Sequence, residues 1–360
     1  MARTASALPV HLALAYAGLV AYACLHPFTG WQGSGLAPFD FLLAPWPKYY
    51  EVDDIVLNVL GYLPLGFVTA AALPRRWAAL LRIVLATLLC ALLSLGLETA
   101  QNFLPTRVAS NIDLGANAAG GLLGALLGTL LGNWLFGEQG WLQRWRARRI
   151  VGGHMGDAGL MLLGLWLLTQ LTPDGLLFGS GDLRQALSLP SPVLFQPAAF
   201  IRLEAAHVAA TVLAAGLLAR CMMSAPSIWP ILLLLALACG ANTLATFSFF
   251  STDDPLAWLT PGARLGLTIG LPLLGASLLL PRVIQHALAG VALLAATLLV
   301  NLMPANPYLP LNPAMLDSGH FLNFHGLTTL VTSAWPFLAL AYLSALGLWR
   351  GEHLNGGRRL

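Results

Sequence analysis

Ten long apolar stretches separated by short polar segments make up most of this chain: 8–26, 54–73, 78–97, 113–135, 156–172, 203–223, 228–249, 262–280, 283–303 and 326–348. Each approaches the roughly 20 helical residues needed to cross a hydrocarbon layer about 30 Å thick. The spacing therefore predicts an all-α, polytopic integral membrane helix bundle of about ten transmembrane helices. Polar residues break the apolar runs in an ordered way. Asp54-x3-Asn58-x2-Gly61 recurs as Asp113-x3-Asn117-x2-Gly120. Positions i, i+4 and i+7 share one stripe of a helix, so each copy aligns a carboxylate, a carboxamide and a glycine. A carboxylate on such a helix is costly unless it pairs or meets water, which marks both copies as candidate functional positions.

Composition supports the membrane reading: 58% of the 360 residues are hydrophobic and only 9% are charged, with a mean hydropathy of +0.75. The first stretch, preceded only by Arg3, resembles a secretory leader. No small-x-small cleavage site followed by a soluble domain comes after it, so a retained first helix is expected. Cys24, Cys90, Cys221 and Cys239 lie in or at the ends of apolar stretches without metal-ligand spacing, and read as small core residues.

Charge sets the orientation. Threading ten spans places most of the 18 basic residues on one side, including Arg75, Arg76, Arg82, Arg144, Arg146, Arg148, Arg149, Arg220, Arg282 and Arg350. Most of the 15 acidic residues fall on the other. Positive-inside bias then makes both termini cytoplasmic. Topology accounts for the basic residues, so no nucleic-acid partner is expected. Trp77, Trp134, Trp229 and Trp349 sit near span ends, as interfacial anchors do.

Three regions follow: a four-helix transmembrane domain over 1–136, a basic cytoplasmic connector over 137–155, and a six-helix extension over 156–360. The connector carries Trp141-Leu-Gln-Arg-Trp-Arg-Ala-Arg-Arg149, the pattern of an amphipathic segment on anionic lipid. Two outer loops, 27–52 and 173–202, are long enough to lie on the bilayer or cover a cavity. Pro230, Pro272 and Pro336 fall within predicted spans and should kink them.

Four polar groups converge on the outer membrane boundary. They are Asp53, Asp54 and Asn58; Glu98, Gln101 and Asn102, followed by Arg107; Asp113 and Asn117; and, from the last span, Ser318, His320, Asn323 and His325. Glu98 and Gln101 share a face at the end of the third span, and the short connection makes spans 3 and 4 antiparallel neighbours. Arg107 lies in that connection, so an ion pair with Glu98 and Asp113 is expected. Asp53 reads as a solvated helix start. For Asn58, Asn117 and Asn323, interhelical hydrogen bonding competes with ligand binding. For Asp54, Glu98 and Asp113, structural pairing, ligand binding and acid–base chemistry all stay open. Glu204 and His207, three residues apart, are compatible with catalysis or with a helix-face pair, of which the structural pair is the commoner arrangement. The carboxylates and imidazoles are not spaced like a dedicated metal motif, and no nucleotide-binding loop or nucleophile elbow is present. No cofactor or metal is expected.

The run Asp53-Asp-Ile-Val-Leu-Asn58-Val-Leu-Gly-Tyr-Leu-Pro64-Leu-Gly66, then Glu98-Thr-Ala-Gln101, Arg107, Asp113, Asn117, Gly120 and Gly124, resembles the VanZ-like family of membrane proteins. The matched positions are Asp54, Asn58, Pro64, Glu98, Gln101, Arg107, Asp113 and Asn117, over roughly 50–130. The six-helix extension departs from the short form of the family, and 317–336 is similar to the tail of its longer members. The resemblance implies a bacterial cytoplasmic-membrane protein and an association with teicoplanin-type glycopeptide resistance.

Three functions remain in view. The first is binding or modification of an envelope glycolipid or (lipo)glycopeptide at an outward-facing site formed by Asp54, Asn58, Glu98, Gln101, Arg107, Asp113, Asn117, His320 and Asn323. Membrane lipid is then the natural partner, and protein partners are undefined. The second is hydrolase or transferase chemistry on lipid-linked envelope intermediates, with Glu98 or Asp113 as acid–base groups and His320 or His325 assisting. The third is transport, disfavoured because the carboxylates cluster at one end of the spans rather than near the midplane.

Overall fold

The computed structural model describes residues 8–356 apart from 27, 34, 36, 46–51, 106, 138, 172–174, 188, 250–253, 255 and 305–324. A helix occupies each of the ten predicted stretches. They are α1 (Leu8–Leu25), α2 (Val52–Ala72), α3 (Ala79–Gln101), α4 (Asn111–Phe136), α6 (Gly153–Thr169), α8 (Pro197–Met222), α9 (Trp229–Phe249), α10 (Pro261–Ser277), α11 (Arg282–Leu302) and α12 (His325–Gly356). Two shorter helices, α5 (Trp141–Arg149) and α7 (Leu183–Ala186), lie in the connections. Among the described residues, eight helices are long and apolar enough to cross a membrane. The other two, α6 and α10, have 17 residues each, which is about 25 Å of helix.

Local chemistry explains the helix ends. Ser110 caps α4 by accepting the Asp113 N–H on its hydroxyl at 3.3 Å, and Thr260 does the same for Ala263 at 3.1 Å. Pro64, Pro272 and Pro336 sit inside α2, α10 and α12. Pro230 does not: as the second residue of α9 it occupies the first turn, where its missing N–H costs nothing. The kink expected there is replaced by a helix start.

Contacts divide the chain into two compact units, Met1–Arg146 and Ala147–Leu316 with His325–Leu360. In the first, α2 and α4 run side by side in the same direction, with α3 against α4 and α1 against α2 and α3. The α2–α4 contact is built on glycine. A Cβ at Gly120, Gly124 or Gly128 would fall 2.3, 2.0 or 2.2 Å from the carbonyl oxygen of Val59, Leu63 or Phe67. Gly132 continues the stripe against Ala71, and Gly66 answers from α2 against the Gly121 carbonyl. Small residues every fourth position let two backbones touch in a membrane, where packing rather than water drives association. Outward leucines such as Leu80, Leu92 and Leu130 are 72%, 61% and 73% exposed, as a lipid-facing surface requires. At the arginine-rich end of this unit, Arg82 donates to the Ala70 carbonyl at 2.8 Å and so closes the end of α2.

The second unit is organised around α8, 89% of whose apolar window is buried. Its alanines let α10 and α11 close in: a Cβ at Gly266 would meet Val208, and one at Gly270 would meet Ala209. Glu204 accepts the Thr260 hydroxyl at 2.6 Å, beneath the first turn of α10. His207 bonds the Ala296 carbonyl at 3.1 Å through Nδ1. These two side chains therefore stitch α8 to α10 and α11 separately rather than forming a pair. Asn301 holds the segment before α7, accepting the Leu183 and Arg184 N–H groups at 3.0 and 3.1 Å and donating to Gly181 O at 2.7 Å.

Candidate functional site

Helices α1, α2, α3 and α4 each contribute one end to a single chamber. The starts of α2 and α4 and the ends of α1 and α3 surround a cavity of 270 Å³. Its wall includes Asp54, Asn58 and Tyr62 from α2, Glu98 and Gln101 from α3, Arg107 from the connection, and Asp113 and Asn117 from α4. All seven first-unit residues expected to form a ligand site therefore line one space. Val20, Ala23 and Cys24 of α1 complete it. The repeat explains why: parallel α2 and α4 are held close by the glycine stripe, so Asp54/Asn58 and Asp113/Asn117 open at the same end.

Polarity is graded with depth. Asp54 is exposed, Asn58 and Asp113 are half-buried, and Tyr62, Glu98 and Asn117 are 4%, 5% and 3% exposed. Asn58 hydrogen-bonds Asp113, which also feels the charge of Asp54, and Glu98 in turn feels that of Asp113. Glu98 accepts the Ser110 N–H at 2.9 Å and so ties the end of α3 to the cap of α4. Asn117 donates through Nδ2 to the Ser94 hydroxyl at 2.9 Å, which leaves its buried Oδ1 with no partner. A buried polar atom left so is costly unless something else fills its valence.

Arg107 departs from expectation. It forms no ion pair with Glu98 or Asp113; its Nη2 donates to the carbonyls of Ala23 and His26 at 3.2 and 3.0 Å. The last carbonyls of a helix lack intrahelical donors and carry the negative end of its dipole, so a guanidinium belongs there. Burial pulls the Arg107 pKa below its ordinary value. Gln101 donates to the neighbouring Cys24 carbonyl at 3.1 Å. Together these bonds fix the end of α1 against the α3–α4 connection. Arg107→Ala should release it: the melting temperature of the purified protein falls, by about 1–2 kcal/mol of stability, and maleimide labels Cys24 faster than in wild type. Unchanged labelling would contradict this role.

A second, more open cavity of 440 Å³ adjoins the first, with Arg107 and Val108 bordering both. Its other walls come from the loop after α1, including Gln32, Phe41 and Ala44, and from Leu104 and Pro105. That loop lies on the α3–α4 connection through Gln32 N–H to Phe103 O at 2.9 Å and Asn102 to Pro38 O at 2.9 Å. Val108 and Leu43 are 87% and 92% exposed at this end of the unit.

His320 and Asn323 lie outside the described residues, as do the side chains of Asp53 and His325. Asp53 itself falls in the first turn of α2. Tyr62 and Ser94 were missed at the sequence level although a signal existed. Tyr62 is four residues beyond Asn58, and Ser94-x3-Glu98-x2-Gln101 has the same i, i+4, i+7 spacing as the two motif copies.

Fold and chamber define a multi-pass helical membrane protein with a polar cavity at one end of a four-helix unit. Residues 13–132 match the VanZ/LLP1 family model, so that unit is similar to VanZ-like proteins. The match takes in most of α1, including the end that forms one wall of the cavity. Comparison with curated proteins and with solved structures returns no match.

Proposed function

We propose that this four-helix unit binds the polar head of an envelope amphiphile, a glycolipid or (lipo)glycopeptide, in the chamber between α1, α2, α3 and α4. One observation carries this reading: carboxylates and carboxamides from three helices line a common cavity, and its buried Asn117 Oδ1 has no protein partner. The adjoining cavity and the exposed Val108 and Leu43 supply apolar surface for the attached chain. The chamber opens away from Arg75, Arg76 and Arg82, so positive-inside bias turns it toward the outer face of the cytoplasmic membrane. Glycopeptide resistance of the teicoplanin type is consistent with such a site, since those molecules join a glycopeptide to an acyl chain.

The test is mass spectrometry of amphiphiles retained by protein purified from native membranes. Wild type is expected to hold a defined polar-headed species, and Asn117→Leu, which fills the floor with an apolar side chain, to lose it. Identical profiles would overturn the reading. A second reading rests on Glu98 and Asp113 lining the same cavity from α3 and α4: two carboxyl groups in unlike surroundings suit a general acid and base. It predicts that a chemically altered amphiphile accumulates when either is neutralised.

A further inference from the structure

The orientation of the polar groups narrows the ligand. Gln101 gives one of its two amide N–H groups to the Cys24 carbonyl, and Asn117 gives one of its own to Ser94. The assignment at Gln101 is chemically forced, because a carbonyl accepts only. Asn58 is engaged with Asp113. Arg107, the one cation among the described wall residues, turns Nη2 to the end of α1. The wall keeps some donors, namely the buried and unpartnered Tyr62 hydroxyl, the second amide N–H of Gln101 and of Asn117, and the Arg107 N–H groups beyond Nη2. Negative charge outweighs them: beside Asn117 Oδ1 and the amide oxygen of Gln101 stand the second oxygen of Glu98 and the carboxylates of Asp54 and Asp113. The Asn117 oxygen is the independent sign that this acidic wall faces a ligand, being buried, unpartnered and on the cavity floor.

Resting on the binding role proposed above, we infer that the head taken into the chamber carries a primary ammonium flanked by hydroxyls, as an amino sugar does, and is not a phosphate. Phosphate brings acceptors to acceptors and negative charge to three carboxyl groups; an ammonium brings three donors and the opposite charge. Spread over 270 Å³, the acidic groups suit such a head better than a bare ion. Among the described residues, no three His, Cys, Asp or Glu side chains are placed to hold a metal.

The experiment uses the full chain in phosphatidylcholine nanodiscs with four probes: hexyl glucosaminide, its N-acetyl derivative, hexyl glucoside and inorganic phosphate. Equilibrium dialysis should give the amine about tenfold tighter binding than the acetylated and neutral sugars, with no displacement by phosphate. Asp113→Asn, with Glu98→Gln as a second variant, should weaken the amine about tenfold, so that it binds the variant no more tightly than the neutral glucoside does. Equal affinity for all three glycosides in wild type would overturn the ammonium assignment alone and leave head-group binding standing. Displacement by phosphate would also overturn it. Binding of no glycoside would remove it together with the sugar-head reading on which it rests.

Discussion

Gly124→Ala should destabilise the first unit by roughly 1–3 kcal/mol or more, the range of a core forced to take a methyl it has no room for. The added Cβ would lie 2.0 Å from the Leu63 carbonyl oxygen and 2.8 Å from the Phe67 nitrogen. Both are backbone atoms of α2, so no side chain can swing aside and the helices must separate. The expected result is a lower melting temperature in detergent and less protein in the membrane. Separation also moves Asp113 and Asn117 away from Asp54 and Asn58, so ligand retention falls with stability. Gly96→Ala is the matched control: nothing lies within 4 Å of its added Cβ, and alanine is the better helix former by about 1 kcal/mol. Equal behaviour of the two variants would show that the stripe is not what holds α2 to α4.

Glu98→Gln should lower ligand retention about tenfold, and weaken any phenotype that deletion produces, while the protein remains inserted and abundant. The reason is that glutamine keeps an oxygen for the Ser110 N–H bonded at 2.9 Å but replaces the charge and the second acceptor oxygen with an amide donor. Glu98→Ala leaves that N–H without its acceptor and should add a stability loss of about 1–3 kcal/mol. Melting curves and membrane abundance, read beside amphiphile retention, separate the two effects. Should Glu98→Gln vanish from the membrane, Glu98 is there to hold α3 to α4. Wild-type retention by both variants would remove it from the site.

The ten helices were readable because membrane helices announce themselves by length and apolarity, quantities local to each stretch. The polar stripes were readable for the same reason: i, i+4, i+7 spacing fixes a face whatever the neighbours are. Asp54/Asn58 and Asp113/Asn117 were therefore correctly placed on helix faces, and short connections brought Glu98 and Gln101 to the same end. The glycines at 124, 128 and 132 follow Gly120 at intervals of four, yet in a chain holding 36 glycines the run does not say which helix it meets.

Arg107 shows where local reading stops. Charge alone paired it with Glu98 and Asp113, the nearest carboxylates along the chain. In the fold it closes the end of α1, more than 80 residues away in sequence, because helix-end carbonyls have no other donors and carboxylates have Ser110 and Asn58. Which hydrogen-bonding atoms were already engaged, and so the acceptor character of the chamber, depends on such distant partners. Periodicity along one strand of residues records which face is polar; it carries no record of what another helix brings to that face, and the chemistry of the cavity is set by the meeting of the two.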